Sequence, residues 1–148
     1  IGGVNFLPGT ITPSDRFARA SYMVGTTPTT LLKAYSAALP DKNLETQSAL
    51  SVLGAMRSVS VPLGEGIPGK PNVASTIYRS ISDQKSKVYY FDSATSPNTF
   101  WVDLKKMDFS QGSPVKKLTM AGGKVFAGET SGLFVPTKIF TPIDALPN

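Results

Sequence analysis

The sequence contains neither cysteine nor histidine. Without cysteine this chain can hold no disulfide, no thiolate metal site and no thiol nucleophile of its own. Without histidine, the Ser-His-Asp and Cys-His arrangements lack their base and most zinc sites lack their ligands. No uninterrupted apolar run approaches the ~18 residues of a membrane span, so no membrane partner is expected. Acidic residues are also few, ten against fifteen Lys and Arg, which leaves a net charge of +5. The basic residues come as short pairs, as in "DLKKMD" and "SPVKKLT", and not as a stripe interleaved with aromatics. No nucleic-acid partner is expected from that distribution.

What is present suits a folded domain. Hydrophobic residues make up 41% and charged residues 17% of the 148, and mean hydropathy is close to zero. A chain of this length forms one domain by size and buries roughly 68–70% of its unfolded surface. Twelve prolines and thirteen glycines imply many turns.

The hydrophobic pattern changes along the chain. "RFARASYMV", residues 16–24, alternates and predicts a strand with Phe17, Arg19, Ser21 and Met23 on one face and Arg16, Ala18, Ala20 and Tyr22 on the other. "GTTPTTLLKAYSAAL" predicts a helix capped by Thr27, with Pro28 in its first turn, a stripe of Leu31, Leu32, Tyr35, Ala38 and Leu39, and Pro40 as its stop. "NLETQSALSVLGAMRSV" predicts a second helix capped by Asn43, with Ala49, Val52, Leu53, Met56 and Val59 inward and Pro62 ending it. Beyond the connector "VPLGEGIPGKPN" the period falls to two. "STIYRSIS", "KVYYFDS" and "TFWVDLKKM" are rich in β-branched and aromatic residues and are separated by the turn signals "DQKS" and "ATSPN". They predict an antiparallel three-stranded meander, followed by an extended tail wrapping over the body. The expected fold class is α+β, an antiparallel sheet with covering helices. Because Tyr89 and Phe91 alternate with Val88 and Tyr90, the sheet is apolar on both faces and needs a second cover, which the rest of the chain does not obviously supply.

Several short motifs suggest chemistry and lack its context. Gly64, Gly66, Gly69 and Lys70 in "GEGIPGKP" match the start of phosphate-binding loops. Such loops follow a strand and open a helix, whereas here a helix precedes and Pro71 stands where a magnesium-binding Ser or Thr belongs. Ser82 with Lys85, and Ser113 with Lys116, have the S-x-x-K spacing of acyl-serine enzymes, but the companion S-D-N and K-T-G motifs are absent. Asp83, Asp92, Asp103 and Asp108 are spread over turns and strands without a paired-carboxylate pattern. Trp101, Tyr89, Tyr90 and Phe100 fall at strand period and read as core of the meander.

"FLPGTITPSDRFARASY", "ALSVLGAMRSVSVPLG", "NVASTIYRSISDQKSKVYYFDS" and "SPNTFWVDLKKMDFSQGSPVKKL" together resemble the carboxy-terminal portion of the choloylglycine hydrolase family, the bile salt hydrolases and penicillin V acylases. The resemblance runs from Phe6 to about Leu118 and is strongest to the Gram-negative penicillin V acylase branch. It implies part of a four-layer αββα N-terminal-nucleophile hydrolase fold, whose second sheet would supply the missing cover. It implies an amide hydrolase acting on a small-molecule N-acyl substrate such as penicillin V, a bile salt or an acyl-homoserine lactone. In this family an amino-terminal cysteine attacks the amide, its own α-amine is the base, and asparagines hold the oxyanion. Residues 1–148 are then expected to be the carboxy-terminal part of a single domain, partnered by an amino-terminal segment that carries the cysteine and inactive without it. No cofactor is implied; a periplasmic location and a homo-oligomer, a tetramer in the family, are.

Of the family's site residues only the arginine after the Leu-Pro-Gly turn maps here, onto Arg16. On the predicted strand it shares a face with small Ala18 and Ala20, which leave room beside it, while Arg19 faces away as a control. Pairing of an exposed Arg16 with Asp15 is the simpler alternative. For the chain as a whole the alternative to an enzyme is a non-catalytic β-rich binding module taking an anionic ligand.

Overall fold

Asn43 begins the best-specified element of the chain. In the computed structural model, which describes residues 7–33, 36–39, 43–64, 69 and 75–139, its Oδ1 accepts a hydrogen bond from the backbone N–H of Thr46 at 2.8 Å. That side-chain cap starts helix α2, Leu44–Ser58, with Glu45 in its first turn and Arg57 in its last, each matched to the helix dipole. Ala49, Leu53, Ala55 and Gln47 are buried, and Val52, Met56 and Val59 are half-buried. The helix stops at Ser58, ahead of Pro62.

Strands β1 (Tyr78–Asp83), β2 (Val88–Ser93) and β3 (Thr99–Asp103) form the predicted antiparallel meander. Register pairs Ile81 with Tyr90 and Ser80 with Phe91, and Tyr90 with Trp101 and Phe91 with Phe100. One face therefore carries Ile81, Val88, Tyr90, Asp92 and Trp101 and packs toward α2, which contacts β1. The other carries Tyr78, Tyr89, Phe91, Phe100 and Val102. On it Tyr78 stacks on Phe91 at 5.1 Å and Phe91 on Phe100 at 5.0 Å, and Phe126 meets Phe100 edge-on at 5.9 Å. Tyr78 is 57% exposed, so in the described residues this aromatic face is covered only in part.

The tail does more than wrap. β5 (Gly128–Glu129) adds a fourth strand, parallel to β3. Thr130, 1% exposed, extends the join with its N–H and its hydroxyl, both donating to Trp101 O. Gly128, at φ +80°, sits where an L side chain would be strained. β4 (Lys116–Lys117) and β6 (Val135–Pro136) make a separate antiparallel ribbon. No helix among the described residues is long and apolar enough to cross a membrane.

Two sequence expectations are overturned. Residues 16–24 form no strand: they lie in helix α1, Pro13–Gly25. Thr12 is the extended residue before it, Pro13 takes the first helical position and Asp15 stands in the first turn. The alternation was misleading because Phe17 and Val24 are 75% and 63% exposed, and the stripe that faces α2 is Arg16, Arg19, Ala20 and Met23, spaced i, i+3, i+4, i+7. Nor does the helix expected over 25–39 form in its described part: beyond Gly25, which ends α1, only Ser36–Ala38 form a short 3-10 turn. Its four threonines disfavour helix. The buried Gln47 side chain also takes two of its backbone groups, accepting from Leu32 N and donating to Thr30 O, both at 2.9 Å.

Asp92 joins helix to sheet. Only 2% exposed, it receives Arg57 Nε at 3.2 Å and Arg57 Nη2, Arg79 Nη1 at 2.7 Å and the Thr99 hydroxyl at 2.7 Å. Burial pushes its carboxyl up, but the donors Arg57, Thr99 and Arg79 outweigh burial and hold the pKa at about 2 against an ordinary 3.8. Since the folded value is depressed, this stabilisation is complete above the unfolded-state value and is lost as pH falls through about 2. Asp92→Asn leaves two arginines without their counter-charge and is expected to cost about 3–5 kcal/mol in urea unfolding at neutral pH. The deficit should narrow between roughly pH 5 and pH 2; a variant as stable as the parent at pH 7 would contradict this account.

Candidate active site

Arg16 and Arg19 come together on one face of α1 because they are three residues apart on a helix. Arg19 is thus no outward-facing control, which is the consequence of the strand having been a helix. Both guanidiniums reach the end of α2, where the last carbonyls of a helix have no intrahelical donor and the dipole is negative. Arg16 Nε donates to Val59 O at 2.6 Å. Arg19 Nε donates to Ser58 O at 3.2 Å, and its Nη1 to Pro8 O at 2.6 Å and Thr10 O at 2.8 Å.

Asp15 does not pair with Arg16. Its carboxylate accepts from the Thr10 N–H at 3.3 Å and from the Thr10 hydroxyl. Arg16, half-buried, is held by its Nε alone, and its two terminal nitrogens make no hydrogen bond among the described residues. A planar cation anchored at one edge and open at the other can present a forked donor to a carbonyl or carboxylate, or stabilise a nearby thiolate.

The remaining motifs do not assemble a second site. Lys85 pairs with Glu45 of α2, Ser113 hydrogen-bonds Ser110 at 2.9 Å, and Lys116 is exposed in β4. Of the glycine-rich connector, Gly64 and Gly69 have φ of +83° and +76°, while 65–68 and 70–74 lie outside the described residues. No group of three acidic residues that could hold a metal occurs among the described residues. Sequence reading set Arg19 aside as an outward-facing control and Asp92 among scattered acidic residues, and passed over Arg57 and Arg79. Only the helical spacing 16, 19, 20, 23 could have signalled the first, and the last three meet through tertiary contact alone.

The family model for linear amide C-N hydrolases of the choloylglycine hydrolase family matches residues 1–117. Penicillin V acylase of Pectobacterium atrosepticum is 40% identical over 146 residues, which are 95% of this chain and 38% of that protein. The solved structure of penicillin V acylase from Agrobacterium tumefaciens superposes with a TM-score of 0.78 at 36% identity, over 98% of this chain and 43% of that one. The chain therefore spans well under half the length of the relatives it matches, and its α+β architecture of helices and antiparallel sheet is shared with a penicillin V acylase.

The site geometry makes Asp15 a support for the turn before α1. Asp15→Ala should lower the unfolding free energy by roughly 1 kcal/mol, the scale of an exposed charge-assisted hydrogen bond, when followed by urea titration. No change would mean that the Thr10 contacts add nothing to the site.

Proposed function

The chain belongs to the choloylglycine hydrolase family of linear amide C-N hydrolases, and from that premise we propose that it is the carboxy-terminal part of a penicillin V acylase-like enzyme in which Arg16 is a catalytic residue. The substrate is the side-chain amide of penicillin V or a related N-acyl compound. The nucleophile is an amino-terminal cysteine on a segment outside these 148 residues, which contain no thiol. The short span relative to the matched proteins supports this division. So does the aromatic sheet face with exposed Tyr78 and Tyr89, which a second sheet from the partner segment would cover. The same reading carries an exported, periplasmic enzyme and a homo-oligomer.

In the proposed reaction the cysteine thiolate adds to the amide carbonyl and the cysteine's own α-amine moves the thiol proton to the leaving nitrogen. The C–N bond breaks to release the amine as an acyl-thioester forms, and water then hydrolyses that thioester to the carboxylic acid and regenerates the thiol. Arg16 supplies what a fixed guanidinium can: it favours thiolate over thiol and donates to the substrate's oxygen. The single observation that carries the role is its anchoring by Nε to Val59 O, with the terminal nitrogens making no hydrogen bond among the described residues.

In the complete enzyme, penicillin V hydrolysis should be abolished by a thiol-alkylating reagent. Arg16→Ala should lower kcat/KM on the order of a hundredfold or more, the effect of removing one site donor. A folded Arg16→Ala enzyme with near-parental kcat/KM would remove Arg16 from the site. Absence of turnover by the alkylatable, complete protein would instead favour a binding module for an anionic ligand.

A further inference from the structure

Among the described residues Arg16 is held by one hydrogen bond, and a single bond to a backbone carbonyl does not by itself fix a long side chain. Two contacts tie that turn of α2 to α1: Ser58 Oγ donates to Met23 Sδ at 2.9 Å, and the neighbouring arginine binds the backbone. Arg19 joins three pieces of backbone through one planar group: the loop before α1 at Pro8 O and Thr10 O, α1 itself through its own Cα, and the last turn of α2 at Ser58 O. Ser58 O and Val59 O belong to consecutive peptide units, so the bond that Arg19 makes sets the place of the acceptor that Arg16 uses.

We propose that Arg19 is a positioning residue for the Arg16 guanidinium, acting by clamping the Pro8–Thr10 loop and the end of α2 to α1. The proposal rests on the reading of Arg16 as catalytic and goes beyond it by naming the residue that holds it in place. Three carbonyls from two segments need donors spread over a rigid fork; an ammonium on a flexible stem is a single point and cannot span them. Two cations three residues apart on a helix would ordinarily repel. Here both lie against the negative end of α2 and each is neutralised in part by the carbonyls it binds. The end of α2 is itself held from the opposite side, where Arg57 and Arg79 bind Asp92 and Arg79 Nε donates to Ser60 Oγ at 2.6 Å. The acceptor for Arg16 thus lies between a sheet-side anchor and a loop-side anchor, and Arg19 is the latter. A displacement of about 1 Å in such a support is enough to cost a site a large factor in rate.

A double-mutant cycle in the complete enzyme tests this, with kcat and KM for penicillin V measured per folded protein by near-UV circular dichroism. With Arg16 present, Arg19→Lys and Arg19→Gln should each lower kcat/KM by roughly ten- to a hundredfold, mostly in kcat. In an Arg16→Ala background the same substitutions should change it less than about twofold, because the group they position is gone. Arg19→Lys keeps the charge, so it separates loss of the fork from loss of a cation and guards against a variant that does not fold. Equal losses in both backgrounds would overturn the proposal and make Arg19 ordinary support of the fold. Parental activity of both Arg19 variants beside a hundredfold loss in Arg16→Ala would overturn it while leaving Arg16 in the site. A mild Arg16→Ala would sink the underlying reading, and with it any positioning role.

Discussion

The last turn of an α-helix leaves carbonyl oxygens without partners, and in this chain that deficit at the end of α2 organises everything around it. Arginines supply the donors on the α1 side: Arg16 to Val59 O and Arg19 to Ser58 O. On the sheet side Arg57 and Arg79 converge on Asp92, and Arg79 also holds Ser60. One helix end is thereby tied to the preceding helix, to the loop before it and to strand β2. At Arg19, Arg57 and Arg79 the choice of arginine follows from geometry, since each reaches across elements with more than one donor at fixed angles.

Burying Asp92 against Arg79 and a half-exposed Arg57 is costly in desolvation, and hydrophobic packing of the same volume would often serve stability as well. What the carboxylate adds is direction. Its two oxygens take Arg57 from α2, Arg79 from β1 and Thr99 from β3, so α2 can dock on the sheet in one rotation and one register. That constraint places the end of α2, and with it the acceptors for the arginines of α1. Among the described residues the opposite sheet face has no comparable polar lock. Its stacked Tyr78, Phe91 and Phe100 offer apolar area without direction, which suits a surface that accepts a second layer.

Much of the architecture was legible because its signals are local. Asn43 three residues before Thr46, followed by Ala49, Leu53 and their neighbours at helical spacing, identifies α2. Period-two aromatics between short turn signals identify β1 to β3. The α1 segment misled because Phe17, Tyr22 and Val24 point outward and its inward stripe includes two arginines, so a search for apolar periodicity finds alternation where there is a helix. The segment from Thr26 to Leu39 misled for another reason: its apolar spacing is helical, yet Gln47, distant in sequence, takes the backbone groups that a helix would need. β5 is two residues long and carries no periodicity at all.

By itself the sequence determined the composition-level facts, namely no thiol and no imidazole chemistry on this chain, a capped α2, a meander apolar on both faces, and Arg16 as a candidate through its place after the Leu-Pro-Gly turn. Only the tertiary structure decided that Arg16 and Arg19 share a face, that Asp15 serves Thr10, and that Asp92 gathers Arg57 and Arg79. The reason is physical. Capping and alternation are satisfied within a few residues, whereas a buried charge or an orphan carbonyl is satisfied by whichever donor the fold brings near, from 35 residues away for Arg57 and Asp92 and 43 for Arg16 and Val59.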